Sequence, residues 1–213
     1  MPHINRRLFW CMLIVGMMFT STGFASIEEQ VLQKSKEAQN RLETQVIEVL
    51  TIVQNKELAA DPLHYEQVLY DKALEIFDFN TFSMLALGRK YRTFSPSQKQ
   101  DFVHYFSKLI SKTYFPKLAG QDLDNIVVNI LSARGLKPKK GIFRTQVFTE
   151  LIQGDTRIPI TYSMIQRDTS DWKIYDVKIE GVSMAANYME QYRQQISLTP
   201  DEIITQLKEK VGQ

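Results

Sequence analysis

The chain has 213 residues, of which 44% are hydrophobic and 23% are charged, with 26 Lys and Arg against 24 Asp and Glu. A balance this close to neutral argues against nucleic acid as the main partner, because nucleic-acid-binding proteins carry an excess of positive charge. The single cysteine, Cys11, excludes an intramolecular disulfide and a metal site built on several thiolates. This length fits one domain.

The first 25 residues have the pattern of a secretory signal peptide. Arg6 and Arg7 precede an apolar run over residues 8–19, and small residues come just before Ser26. The apolar run is too short to span a bilayer comfortably. We therefore predict cleavage before Ser26, export to the periplasm, and one mature domain over residues 26–213 with equal numbers of acidic and basic residues.

The first half of the mature chain, residues 26–120, is predicted to be mainly helical. Residues 27–55 form a long amphipathic pattern without Gly or Pro. Asp61-Pro62 and Ser95-Pro96 have the sequence of helix starts, with a capping residue followed by proline at the first helical position. A short apolar helix is expected between them, within residues 77–94.

Residues 121–181 are predicted to form an antiparallel sheet. Four β-like runs are separated by turn-forming residues. They are Ile126–Leu131, Ile142–Leu151, Ile158–Ile165 and Trp172–Ile179. Residues 182–213 then return to a helical pattern, with helices expected to begin at Ser183 and Thr199.

The order of helices, sheet and helices predicts an α+β fold. We expect a curved four-stranded antiparallel sheet, like the sheet of NTF2-like proteins, packed against a helical half. Aromatic and methionine side chains are abundant near the ends of these elements. They indicate either a filled core or the wall of an apolar cavity for a hydrophobic ligand, and composition does not separate these two interpretations.

The sequence offers no pattern for catalysis or metal binding. Neither His64 nor His104 belongs to a known catalytic or metal-binding motif, and the sequence has no HExxH, CxxC or GxSxG. Asp176 and Glu180 share one face of a predicted strand, where solvent-facing polar residues are commoner than a catalytic pair. We therefore assign no catalytic residue, no metal and no cofactor.

Two motifs resemble those of a known family. LALGRKYRTFSPSQKQDFVHYFSKLISKTY, residues 85–114, contains L-x-L-G-R, Y-R, S-P-x-Q, F-x-x-x-F and T-Y in the order typical of the MlaC family, also called the toluene-tolerance family. DWKIYDVKIEGVSM, residues 171–184, is similar to the second signature of that family, W-x-x-Y-D followed by E-G-V-S-M. The resemblance covers essentially the whole mature chain.

This resemblance implies a periplasmic phospholipid-binding protein of the Mla ABC transport system. Members of the family are soluble, monomeric shuttles that carry phospholipid as cargo between the two membranes and so maintain outer-membrane lipid asymmetry. They exchange lipid with the substrate-binding hexamer of an inner-membrane ABC transporter and with an outer-membrane lipoprotein–porin complex. The acyl chains enter an apolar cavity between the sheet and the helices, and no catalytic residue is implied.

On this basis we predict the residues that contact lipid. The expected cavity wall consists of Leu85, Leu87, Tyr91, Phe102, Phe106, Val128, Ile160, Tyr162, Tyr175, Val177, Val182, Met184 and Tyr188. Arg89 and Arg92, in a basic segment, are candidates for contact with a lipid headgroup or with a partner protein.

Two other functions are compatible with the same sequence. One is an NTF2-like isomerase or dehydratase, which would need a carboxylate or histidine inside the cavity, and Asp176 is the strand candidate. The other is a periplasmic carrier or chaperone for lipoproteins, which would bind acylated protein instead of free lipid.

Overall fold

The structure is a computed structural model that describes residues 26–119 and 126–213. The predicted signal peptide lies outside the described residues. The helices are α1 (Ile27–Val53), α2 (Lys56–Ala59), α3 (Pro62–Ile76), α4 (Phe79–Leu87), a 3-10 helix (Gly88–Thr93), α5 (Pro96–Ala119), α6 (Met184–Gln194) and α7 (Pro200–Val211). None of the helices in this part of the chain has the length and apolar character needed to cross a bilayer.

The strands form one antiparallel sheet in the order β1-β2-β3-β4-β5. They are β1 (Ile126–Lys139), β2 (Ile142–Gln153), β3 (Thr156–Arg167), β4 (Lys173–Ile179) and β5 (Val182–Ser183). The predicted α+β class is confirmed. The sheet has the four expected strands and a fifth of two residues, which was not expected.

Strand β1 is longer than the sequence predicts. We expected it to end at Leu131, but it continues to Lys139. A bulge explains the difference, because Ile130 pairs with Thr149 and Ser132 with Phe148, so Leu131 has no partner and the ladder resumes beyond it. Residues 132–139, which lie between the first two predicted β-like runs, therefore belong to the first hairpin.

Gly135 sits inside β1 because helix α1 passes directly over it. A Cβ atom at this position would overlap the side chains of Val31 and Ser35 and lie 3.1 Å from the backbone oxygen of Val31. The backbone of the strand can approach the helix this closely only without a side chain. Gly135 therefore fixes the distance between α1 and this end of the sheet.

A two-residue turn joins β4 to β5. Ile179 pairs with Val182, and the turn residues Glu180 and Gly181 both have positive φ, 50° and 83°. Positive φ at both positions is the requirement of a type I′ hairpin turn, and glycine meets it without strain. Ser183 then caps α6 by accepting a hydrogen bond from the backbone N–H of Ala186.

The interior contains two main groups of buried apolar side chains. The helical cluster, formed by α4, α5, α6 and α7, includes Phe82, Phe102 and Phe106, each fully buried. The rings of Phe102 and Phe106 stack with their centroids 5.2 Å apart. The sheet cluster lies between α1 and the strands and includes Leu42 and Met164. The aromatic residues of the sequence motif in α5 thus fill a solid core.

A buried carboxylate ties α4 to the sheet. Asp78 caps α4 by accepting hydrogen bonds from the backbone N–H of Thr81 at 3.0 Å and from its hydroxyl at 2.6 Å. Arg167, at the end of β3, donates to Asp78 at 2.6 Å and to the Thr81 hydroxyl at 2.7 Å. Burial alone would raise the pKa of Asp78, but the bonds from Thr81 and Arg167 outweigh it, and the net pKa is lowered.

Replacing Gly135 with alanine should destabilise the protein. Alanine normally restricts the unfolded chain and stabilises a strand, but here its methyl group meets α1. Overpacking of this kind costs about 1–3 kcal/mol, which corresponds to a Tm lower by roughly 3 to 10 °C. Thermal unfolding followed by circular dichroism measures the change. Val127→Thr, a substitution of similar shape at an exposed position of the same strand, is the control and should leave Tm nearly unchanged.

Replacing Asp78 with asparagine should lower stability near neutral pH, by about 1–3 kcal/mol, because the charge-assisted bond to Arg167 is lost. The folded pKa of Asp78 lies below its unfolded value, so its contribution is present above about pH 4 and is lost as pH falls through the folded pKa. The difference in Tm between wild type and variant should therefore be large at pH 7 and smaller at pH 3.

The control for this substitution is Asp155→Asn, in the exposed turn between β2 and β3. It should change Tm little at either pH. A difference between wild type and Asp78→Asn that stays the same from pH 7 to pH 3 would show that the ionised carboxylate is not the stabilising group.

Candidate functional site

An apolar cavity of about 280 Å³ lies between the sheet and helices α1 and α3. Its volume is near the lower end of the range for ligand sites, about 300–1,000 Å³. The helices contribute Leu42, Gln45, Val46, Val49, Leu50, Val53, Leu69, Lys72, Ala73, Ile76, Phe79, Ile110, Tyr114 and Met184, and Phe77 lies between α3 and α4. The strands contribute Ile126, Val128, Leu151, Ile160, Tyr162, Ile174, Val177 and Ile179.

Helical periodicity places the α1 and α3 residues on the wall. In α1 the lining positions recur every three or four residues from Leu42 to Val53, and in α3 from Leu69 to Ile76. This spacing puts side chains on one face of a helix, so each helix turns a single apolar stripe towards the strands. The two stripes form one side of the cavity.

The sheet side of the wall depends on a bulge in β4. Ser163 pairs with Asp176 and Met164 with Ile174, so Tyr175 is an extra residue without a partner. The bulge reverses the alternation of side chains at that point. Ile174 and Val177, three residues apart, consequently both line the cavity, whereas Tyr175 does not.

The cavity has a closed end and an open end. Leu42 and Ile174 are almost fully buried, whereas Leu50 is half-buried and Ile179 is 38% exposed. The mouth therefore lies beside Leu50 and the β4–β5 turn, whereas Val53, at the end of α1, is buried in a small cluster with Tyr65 and Leu69. The eight helical steps from Leu42 to Leu50 correspond to about 12 Å along the helix, which sets the depth of the cavity.

Few polar groups reach the wall. The Gln45 Nε2 donates to the backbone oxygen of Trp172 at 3.2 Å, and its Oε1 is buried without a partner among the described residues. The Lys72 Nζ forms ion pairs with Glu75 at 2.7 Å and with Glu48 at 3.4 Å. The pKa of Lys72 is raised, mainly by the hydrogen bond to Glu75. This lysine therefore contributes mainly its alkyl chain to the wall.

Tyr162 places a phenol group in this apolar surrounding. Its desolvation by burial raises the pKa of the hydroxyl to about 12, so the group stays protonated at neutral pH. No described residue forms a hydrogen bond with it. The hydroxyl is thus a neutral group with unused capacity to donate and to accept.

None of the residues described along the wall is Asp, Glu or His. Asp176 lies outside the wall, where it accepts hydrogen bonds from the Ser183 hydroxyl at 2.7 Å and from the backbone N–H of Ala185 at 3.0 Å. Within residues 26–119 and 126–213, no group of His, Cys, Asp and Glu is placed to hold a metal ion.

A second cleft, of about 360 Å³, lies on the other side of Phe77 and Phe79. The two rings stack with centroids 5.5 Å apart, and both residues also line the apolar cavity. The second cleft is polar and contains Asp78, Arg167 and Lys173. The two phenylalanines thus stand between an apolar and a polar space.

The structure places five of the thirteen predicted wall residues around the cavity. They are Val128, Ile160, Tyr162, Val177 and Met184. Their contact with lipid remains a prediction, now supported by their position.

The other eight residues lie outside this wall. Leu87, Phe102, Phe106 and Tyr188 are buried in the helical cluster, and Tyr91 packs against it. Leu85 and Val182 are 36% and 64% exposed, and Tyr175 is displaced by the bulge. Their presence in the sequence motifs reflects the packing of the helical half and the tight β4–β5 turn.

Arg89 and Arg92 are exposed residues of the 3-10 helix. Neither lines the cavity, and neither forms an ion pair with another described residue. Their contact with a lipid headgroup or with a partner protein stays a prediction.

The residues that sequence reasoning missed belong mainly to α1 and α3. Leu42, Val46 and Val49 were visible in the sequence as the apolar stripe of a generic amphipathic helix. That signal identifies the buried face but not the space beneath it, since a helix over a filled core has the same periodicity.

Comparison with known proteins supports this architecture. The structure resembles that of a phospholipid-binding protein from Ralstonia solanacearum solved in complex with a phospholipid, with a TM-score of 0.71 and 24% identity over 83% of this chain and 97% of that chain. No curated protein matches the sequence. The family model described as MlaC protein matches residues 43–209, so the chain belongs to the MlaC family.

Proposed function

We propose that this protein is a periplasmic carrier that binds the acyl chains of a phospholipid in the cavity between α1, α3 and the sheet. The observation that carries the proposal is an apolar cavity, open at one end, whose described wall contains no carboxylate and no imidazole. Membership of the MlaC family and the likeness to a protein solved with a phospholipid support the same ligand.

The volume of the cavity suits one acyl chain of moderate length. A methylene occupies roughly the volume of a water molecule, about 30 Å³, so 280 Å³ holds about nine methylenes. Removing nine methylenes from water is worth about 7 kcal/mol before the costs of binding. That free energy is sufficient to hold a chain in a carrier that crosses an aqueous space.

A phospholipid with two full-length tails requires a larger cavity. About thirty methylenes need roughly 900 Å³, three times the present volume. The helix side is the side we expect to move, because α1 is fixed near Gly135 and Leu50, further along the helix, lies at the mouth. Half-buried apolar residues such as Val46 and Leu50 could then cover additional chain length.

The cellular role follows from the family and from the predicted signal peptide. The carrier receives or delivers lipid at the substrate-binding hexamer of an inner-membrane Mla transporter and at an outer-membrane lipoprotein–porin complex, and so maintains lipid asymmetry. A mature chain with balanced charge favours this role, since a strongly basic carrier would stay bound to anionic membranes.

The chemistry of a native extract tests the proposal directly. Protein purified without detergent is extracted with organic solvent, and the extract is analysed by mass spectrometry. We expect phospholipid in near-stoichiometric amount. An acylated peptide would instead support a lipoprotein carrier, and an extract without any lipid or acyl group would contradict the proposal.

Filling the cavity should displace the lipid. Val177→Phe adds an aromatic ring inside the cavity, so we expect the amount of co-purified phospholipid to fall at least about threefold, while the free space keeps the loss of stability within about 1–3 kcal/mol. The same substitution at Val182, which is exposed and outside the wall, is the matched control.

Lipid content per protein, measured by mass spectrometry, and Tm are compared for both variants. Val182→Phe should retain lipid like the wild type. If Val177→Phe folds and also retains a full complement of lipid, the acyl chains bind elsewhere.

A further inference from the structure

The Tyr162 hydroxyl is the polar group best placed to contact a ligand in the cavity. Tyr162 is only partly buried, and the open space beside it is the cavity. The Tyr162 hydroxyl is accessible to solvent, whereas the unpaired Gln45 Oε1 is fully buried. A ligand in the cavity therefore meets the hydroxyl of Tyr162 and not the carbonyl of Gln45.

A hydroxyl in this position needs a hydrogen-bond partner when the cavity is filled. A hydrocarbon chain offers none, and packing one against the hydroxyl displaces any water without replacing its hydrogen bonds. Of the groups in a glycerophospholipid that enter an apolar space, the ester carbonyls are the natural acceptors. A phenol that remains protonated is the matching donor.

The depth of Tyr162 also fits an ester. Tyr162 pairs with Val177, and the next pair on the same face, Ile160 with Ile179, lies at the mouth. Two residues along a strand correspond to about 7 Å, so Tyr162 lies one step below the mouth. The ester linkages of a phospholipid occupy the same level, between a headgroup in water and tails in the cavity.

We propose that the Tyr162 hydroxyl donates a hydrogen bond to an ester carbonyl of the bound lipid, and that the protein therefore selects ester-linked over ether-linked phospholipids. This inference rests on the proposed function, because it names the group of the lipid that the same cavity recognises. A net hydrogen bond of ordinary strength corresponds to a preference of about three- to tenfold.

A competition experiment measures this preference. Delipidated protein is mixed with equal amounts of dioleoyl phosphatidylcholine and its diether analogue with the same chains, and native mass spectrometry gives the ratio of the two complexes. We expect a ratio of about three to ten in favour of the ester for the wild type. Tyr162→Phe, which removes one oxygen atom, should bring the ratio close to one.

Tyr175→Phe is the matched control. Tyr175 lies on the neighbouring strand, outside the cavity wall, and its hydroxyl is bonded to Ser163. This variant should keep the ratio of the wild type. Because no described residue bonds to the Tyr162 hydroxyl, Tyr162→Phe should also keep a Tm within about 2 °C of the wild type.

Two results would overturn the inference: a wild-type ratio of one, or an ester preference that persists in Tyr162→Phe. The ratio of ester to diether complexes measured for the wild type tests the inference even if Tyr162→Phe does not fold. Binding of neither lipid to the wild type would contradict the proposed function as well, whereas equal binding of both would contradict only the role of Tyr162.

Discussion

The close approach of α1 to β1 at Gly135 is the contact on which the interior of the sheet half depends. At that point the helix and the strand are as near as their backbones allow. Towards its C-terminal end α1 passes over Ile126 and Val128, and there the space between helix and sheet is the cavity. The helix contacts the sheet closely at Gly135 and packs again around Val53 and Ile126, and between these two contacts it leaves the space that forms the cavity.

The two halves of the protein use their apolar residues differently. In the helical half Phe82, Phe102 and Phe106 interlock as a solid core with ring centroids 5.2 Å apart. In the sheet half the side chains of α1, α3 and the strands line a space that they do not fill. A rigid helical half provides a fixed support, so the changes in volume that a variable cargo requires can be confined to α1 and α3.

The fold was predictable from the sequence because each element carries its own local signal. Asp61, Ser95 and Thr199 mark helix starts, and the four β-like runs became the four long strands. The cavity wall was predictable only in part. Val128, Ile160 and Val177 lie on the sheet face that meets the helices, since strand alternation holds on either side of the bulge, and their contact with lipid stays a prediction.

Two physical causes explain why some of the predicted residues lie outside the cavity wall. Tyr175 was assigned to the cavity by strict alternation, and one extra residue in the ladder removed it, a feature that no local pattern in the sequence announces. Phe102 and Phe106 were assigned because they belong to a family motif. A family motif contains residues that the fold requires, and in this structure Phe102 and Phe106 are required for packing. Whether an apolar side chain borders a void depends on the fit between distant elements, which periodicity does not encode.

The stacked rings of Phe77 and Phe79 have a consequence for the range of cargo. They form the inner boundary of the cavity and border a second, polar cleft on the other side. Phe79 is almost fully buried, and its ring also stacks on Phe82 with centroids 6.3 Å apart. The core therefore holds this boundary in place, so a tail longer than the cavity would have to emerge at the mouth and not through the second cleft.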